Sequence, residues 1–496
     1  MKKQILCMIF CALIVTSVLT GCGKENVALI EEDTTSQQQT ETESSYPDDL
    51  PADLNLAGEQ VRFLYREEVS NEFYSEALNG DIVNDAQYNS ILATEERLNA
   101  DIVLVPRPGH MTSVRQEYMN HIKNSVQAGD DTYAWVDLMV GNVPVLMQEG
   151  IFMDVLQNPY IDVTKPWYLK NIENMAIDDH LYFVSGDASL GYLKSIFCMY
   201  FNVQVADDYQ LGNIYELVDN GEWTLDKVIE LTTITSQDLN GDGIYTADDK
   251  LGLLVHDWVH PKGFMGSTCF DLYAEDEDGT WVLTIGSERN VDVCNKVYAM
   301  LYATSGVYHS GVTSTATEDA AVYNALSAKF MAGDVFLTTA QMDDAVSQFR
   351  DMESAYGILP CPKYDTAQSE YRSVSRTTHN AFAMPVTCAN VDAAGAVMEA
   401  LSASNHETVI PAYFETALKT KYSRDNDSAR MYDLIRETTV TDFGYVYNNA
   451  IGATTGLFDT GITKENTLAS ELASKKTSLE AALEVFLETV RDKCGH

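Results

Sequence analysis

Val61-Arg62-Phe63-Leu64-Tyr65 and Val136-Asp137-Leu138-Met139-Val140 are short apolar runs rich in β-branched and aromatic residues. Each predicts a strand. Between them, Tyr88, Ile91, Leu92 and Leu98 recur at helical spacing behind Asn84, a residue suited to an N-cap. Ile102-Val103-Leu104-Val105 predicts a further strand, stopped by Pro106. Val114, Tyr118, Ile122 and Val126 form a second helical stripe that Gly129 can close. Strand, helix, strand, helix, strand implies βαβ units and a largely parallel sheet. Open sheets of this kind bind ligands outside the carboxyl ends of their strands. Tyr65 and the Gly141-Asn142 turn stand at two such ends.

The pattern continues downstream. Ile196-Phe197-Cys198-Met199-Tyr200-Phe201-Asn202 predicts a strand of a second layer. Trp223-Thr224-Leu225 opens a helix that Thr224 caps and Trp223 staples onto Val228. Val335-Phe336-Leu337-Thr338 and Tyr356-Gly357-Ile358-Leu359 read as strands, and Leu468, Leu472, Leu479, Leu483, Leu487 and Val490 as one long helix. No repeat of fixed period is visible.

The 496 residues are 45% hydrophobic, enough for packed cores in two or more domains. The formal charge of -42 argues against nucleic acid and anionic lipid as partners. At the amino end, Lys2 and Lys3 precede an apolar run too short to span a bilayer, followed by Leu19-Thr20-Gly21-Cys22. This resembles the lipobox of bacterial lipoproteins. The resemblance implies a signal peptide over 1–21 and a mature chain that begins at lipidated Cys22, held at the extracytoplasmic face of the cell membrane. Residues 22–56 are mostly Glu, Asp, Ser, Thr and Gln, and predict a disordered acidic stalk. Beyond Cys22, the six remaining cysteines form no C-x-x-C pair and mostly have apolar neighbours, so buried free thiols are expected.

The sharpest local motif runs from Asp238 to Asp249. Asp238, Asn240 and Asp242 occupy loop positions 1, 3 and 5, Gly243 position 6, Ile244 position 7 and Asp249 position 12. Calcium needs six to eight oxygens, and this spacing supplies them, with Ile244 contributing its carbonyl. The loop resembles an EF-hand, closest to the single loops of dockerin modules, and predicts one structural Ca²⁺. Asp in place of Glu at position 12 and Tyr245 in place of Ile point to weak binding, ~10⁻⁴–10⁻³ M. His256 and His260 lie four apart, but Pro261 and Gly263 predict a loop, and no third zinc ligand is evident. Trp258 is then an aromatic displayed on that loop. Hydrolase signatures are absent: Gly186-Asp187-Ala188-Ser189-Leu190-Gly191 misses the nucleophile elbow by one residue.

The order of landmarks resembles a family. After the lipobox come Gly150-Ile151-Phe152-Met153-Asp154, Tyr200-Phe201-Asn202, Gly221-Glu222-Trp223-Thr224-Leu225-Asp226-Lys227, Phe330-Met331-Ala332-Gly333-Asp334 and Ala383-Met384-Pro385-Val386. Together they resemble the extracellular solute-binding proteins of carbohydrate ABC importers, the class that includes maltose-binding protein, in its Gram-positive form. The resemblance implies an α/β, two-lobed periplasmic-binding-protein-like fold of type II, with lobes joined by crossing strands. Lobe one would hold 57–188 and 376–430; lobe two would hold 189–375 and 431–496. It further implies a monomeric, non-enzymatic receptor that delivers a sugar to ABC permease subunits. Tyr65, Asn142, Asp187, Trp258, Gln341, Asn380, Tyr445 and Tyr447 stand where the family has cleft loops. The alternatives are a secreted glycan hydrolase with a calcium loop, and a peptide or metal receptor on the same fold.

Overall fold

The computed structural model describes residues 47–256, 259–277, 279–309, 316–422 and 425–494. Cys22 and Trp258 therefore lie outside the described residues.

Two sheets organise the chain. Strands β1 (Glu59–Arg66), β2 (Ala100–Arg107) and β3 (Trp135–Met139) are parallel, and the first sheet is completed far downstream. The second sheet takes β4 (Phe197–Asn202) and β5 (Leu251–Val255). A small antiparallel hairpin follows, β6 (Tyr273–Glu275) with β7 (Trp281–Leu283). The second sheet then gains β8 (Val307–His309), β9 (Val335–Gln341) and β10 (Tyr356–Leu359). Strand β11 (Asn380–Ala383) returns to the first sheet, antiparallel to β3. The orders are β11-β3-β1-β2 and β10-β4-β9-β5-β8. In the first, Phe63 faces Leu104 on one side and Trp135 on the other. Helices cover these strands, so β3 reads as one apolar run broken by Asp137.

Pro106 does not stop β2, which runs on to Arg107. β2 is an edge strand, where a missing N–H costs no ladder bond. The helix Ile82–Leu98 starts earlier than Asn84 predicts. Asp81 is its N-cap, accepting from the N–H groups of Val83 and Asn84. Thr224 does cap its helix, accepting from Lys227 N–H, and the buried Trp223 indole donates to Pro360 O at 2.8 Å. Pro261 opens the helix Pro261–Ser267 as its first residue, rather than marking a loop. Gly263 lets that helix approach β4: a Cβ there would meet the Phe197 Cβ and Cys361 Sγ at 2.9 Å. Cys198, Cys269, Cys294, Cys361, Cys388 and Cys494 are all free thiols.

The packed body begins before residue 57. Leu50 is buried, and Asp48 pairs with Arg97 at 3.1 Å where both side chains are out of water. So 47–56, assigned to the stalk on composition, packs with the body: beside Asp48 and Leu50, Leu54 and Leu56 lie half-buried against the core. The boundary expected at 430 falls inside the helix Asn426–Glu437, which packs on β10. The helix Leu468–Cys494 is likewise shared. It lies against Glu288–Tyr298 and β7, yet its last turn reaches the first lobe, where Lys493 sits against Gly150 and Arg491 pairs with Asp178.

Three segments cross between the sheets. Isolated bridges join Val184 to Phe382, Ile196 to Ser375 and Ser373 to Thr439. Gly186, on the first crossing, has φ +151°, and a Cβ there would strike Trp167 O at 2.2 Å.

Candidate functional site

The carboxyl ends of strands from both sheets converge on the second crossing, at Arg376. Its N–H donates to Ser195 O at 2.9 Å, which fixes it between the sheets. From the first sheet come Arg66, which ends β1, and His110 and Arg115, which follow β2. From the second come His260 after β5 and Thr339 on β9, with His260 Nδ1 3.2 Å from Thr339 Oγ1. Arg115 Nη2 donates to His110 O, His110 faces Arg66 Nη1, and that nitrogen donates to Thr378 O on the same crossing, so the first sheet's groups reach Arg376's segment. The Arg376 charge lies within electrostatic range of His110, Arg115, His260 and Tyr445.

Arg66 anchors the near wall. Its Nε donates to Asp137 Oδ2 at 2.9 Å and its Nη2 to Asp137 Oδ1 at 3.1 Å, a two-pronged pair with both side chains 1% exposed. Asp137 also accepts from Asn380 Nδ2 at 2.8 Å, and Asn380 Oδ1 accepts from Ser189 Oγ at 2.8 Å. The remaining Arg66 nitrogen, Nη1, donates to Thr378 O and to His110 Nδ1, each at 3.1 Å. A guanidinium can only donate, so His110 carries its proton on Nε2. Burial and the charges of Arg66, Arg376 and Arg115 hold the His110 pKa down at about 4, so the ring is neutral at pH 7. Burial and His256 push His260 well below the ordinary imidazole range as well.

Of the eight residues expected to line a cleft, Trp258 lies outside the described residues, and the other seven divide by what their side chains already do. Asn142 ends the short turn Val140–Asn142 that follows β3 and caps the next helix without a side-chain bond, and Gln341 ends β9 half-buried. Tyr445 is buried beside Thr377 and Arg376. These three stand at the convergence. Tyr65 instead packs edge-on against Tyr74 and donates to its hydroxyl at 3.0 Å. Asp187 accepts from His406 Nδ1 at 2.6 Å, inside the first crossing. Asn380 is spent on Asp137 and Ser189. Tyr447 is a core residue: fully buried, stacked on Phe443 and donating to Met175 O at 2.5 Å. The four are occupied because crossing segments bury their own polar groups. Arg66, His110, Arg115 and Arg376 escaped the sequence reading. The one available signal was Asp137, a carboxylate inside an apolar strand, which demands a cation.

The 238–249 loop is well ordered around its own N–H groups. Asp238 accepts from Gly241 and Gly243, Asn240 from Asp242, Asp242 from Ile244, and Asp249 from Leu239 and Thr246. The bridge Gln237↔Lys250 closes its ends. Asp249 is buried, and the N–H groups of Leu239 and Thr246 hold its pKa below the ordinary value. His256 and His260 lie 5.0 Å apart by ring centroids. Among the described residues, no three His, Cys, Asp or Glu side chains are gathered in a ready-made metal cluster. Nor is any helix there long and apolar enough to cross a membrane.

Removing one member of the buried pair leaves a bare charge. Arg66→Met and Asp137→Leu should each cost ~3–5 kcal/mol, and the double substitution markedly less than their sum. Urea unfolding measures this; single variants as stable as the parent would show that the pair does not hold the wall.

No protein-family model matches this chain, and no curated protein matches it by sequence. Solved structures do match. The galacto-N-biose/lacto-N-biose I-binding protein of an ABC transporter from Bifidobacterium longum superposes with TM-score 0.56 at 12% identity, over 87% of this chain and 98% of that one. An extracellular solute-binding protein from Staphylococcus aureus, in complex with maltose, gives 0.55 at 11% identity, over 88% and 99%. A cyclo/maltodextrin-binding protein complexed with maltotetraose gives 0.53 at 12% identity, over 88% and 97%. With two α/β sheets, three crossings and these neighbours, the chain has the two-lobed periplasmic-binding-protein-like fold of type II.

Proposed function

We propose that this protein is a monomeric extracytoplasmic receptor that captures a carbohydrate and hands it to ABC permease subunits, without covalent chemistry. One observation carries the reading: polar side chains from both sheets meet at the crossing segments, so rotation about those crossings opens and closes one shared site. The sugar-binding neighbours on the same fold support it. Sugars present hydroxyl edges and apolar ring faces, so Asn142, Gln341 and the hydroxyl of Tyr445 supply polar contacts. Trp258 is proposed as a stacking platform on sequence grounds alone. The lobes are proposed to follow the sheets, with 47–188 and 376–422 in one and most of 189–375 in the other.

A thermal-shift screen over mono- and oligosaccharides tests the receptor. Bound sugar should raise the melting temperature as RT ln(1 + [L]/Kd), and no sugar should be consumed. Product formation would instead favour a hydrolase.

The lipobox reading supports a lipid anchor at Cys22. Cys22→Ala should move the protein from the detergent phase to the aqueous phase on fractionation. A variant retained as firmly as the parent would defeat the anchor.

The 238–249 loop is proposed to hold one structural Ca²⁺ through Asp238, Asn240, Asp242, the Ile244 carbonyl and Asp249. The fit rests on Asp249, buried in a closed loop whose N–H bonds leave carboxylate lone pairs for an ion. Millimolar calcium should raise the melting temperature of the parent, and Asp242→Ala should lose that rise while keeping sugar affinity. Indifference of the parent to calcium would reduce the loop to an acidic turn.

A further inference from the structure

Arg115 is half-buried without an acid in an acidic chain. The chain carries 74 Asp and Glu against 32 Lys and Arg, so carboxylates to neutralise a buried cation are plentiful. Arg66, Arg97, Arg372, Arg430 and Arg491 each have an acidic partner within 3.1 Å. Arg115 has none among the described residues. Its Nη2 donates to His110 O at 3.0 Å, and its Nε is buried with no hydrogen-bond partner. Burial, and then the like charges of Arg376 and Arg66, lower its pKa, so no nearby carboxylate offsets them. Glu68, close by, is already engaged: its carboxylate accepts from Gly109 N–H at 2.9 Å and His110 N–H at 3.1 Å.

A half-buried guanidinium next to another, without an acid, costs stability. The cost is recovered if an anion arrives from outside, and a guanidinium matches a planar carboxylate with two parallel hydrogen bonds. The position suits a ligand. Arg115 and Arg376 stand at the meeting of the strand ends, and the neutral His110 adds an Nε2–H donor on the same wall. A positive cleft in a protein of charge -42 would also draw an anion past a repelling surface by local field alone.

We propose that the sugar taken by this site carries an anionic group, and that Arg115, with Arg376 beside it, receives that group. The proposal rests on the carbohydrate-receptor reading above. Uronic-acid and sulfated sugars share the required charge, and binding measurements distinguish them.

Calorimetry on the full mature chain would use digalacturonate, a 6-sulfated disaccharide and neutral maltotriose. At least one of the two acidic sugars should bind about tenfold or more tightly than maltotriose, and weaken as salt rises. Arg115→Gln should reduce that affinity at least about tenfold, and Arg115→Lys less so. Because an unpaired charge is removed, Arg115→Gln should melt no lower than the parent. Maltotriose bound as well as the acidic sugars, with Arg115→Gln silent, would overturn the anionic ligand while sparing the receptor. A marked loss of melting temperature in Arg115→Gln would make Arg115 a structural strut and overturn its role. No binding by any sugar in this set or the wider screen would overturn both readings.

Discussion

The pairing of Arg66 with Asp137 organises the first lobe's contribution to the site. Both groups are 1% exposed, so each would be costly alone. Their bonds reach four separate parts of the chain. Asp137 O accepts from Tyr118 at 2.7 Å, which seats the helix Thr112–Gln127. The Asp137 carboxylate accepts from Asn380, which registers β11 and, through Ser189, the first crossing. Arg66 donates to Thr378 O on the second crossing and to His110 after β2. A hydrophobic pair of equal volume could match its stability but could not orient these groups. The pair therefore sets geometry more than it adds net stability.

That geometry separates two kinds of charge. Most of the excess carboxylates lie on the surface, where water and salt screen them. The cationic groups near the crossings lie where screening is weak, and their charges act on one another: Arg376 and Arg66 both lower Arg115. Net charge alone pointed away from anionic partners. The proposed anionic ligand rests on the local arrangement instead, because at contact range the Arg115 guanidinium outweighs distant carboxylates.

The strands around Phe63, Val136, Phe197, Val335 and Ile358 were legible because parallel buried strands read as plain apolar runs. Residues at strand ends were not. Tyr65 and Arg66 are neighbours in sequence, yet one packs on Tyr74 and the other faces the site, since alternate residues point to opposite faces. Which face meets the crossings is a tertiary fact. Tyr447 and Asn380 look like ligand residues by type, and only the packing shows that Met175 O and Asp137 already hold them. Pro106 and Pro261 misled for a similar reason. Proline breaks a central strand or a helix interior, but an edge strand and a first helical turn both accept it.

The same bonds limit how the lobes can move. The proposed closure about the crossings must preserve buried contacts near the axis: Arg66 with Thr378, Asn380 with Ser189, and Tyr447 with Met175. The carboxyl-terminal segment adds a further tie, with Asn449 Nδ2 donating to Gly141 O at 3.0 Å and the helix Leu468–Cys494 ending against Gly150. An axis through these ties leaves His110 and Arg115 on one side and His260 and Gln341 on the other. Rotation then changes the distance between those two sets while each keeps its own wall. A ligand that bridges them stabilises the closed arrangement in proportion to the contacts it makes only there.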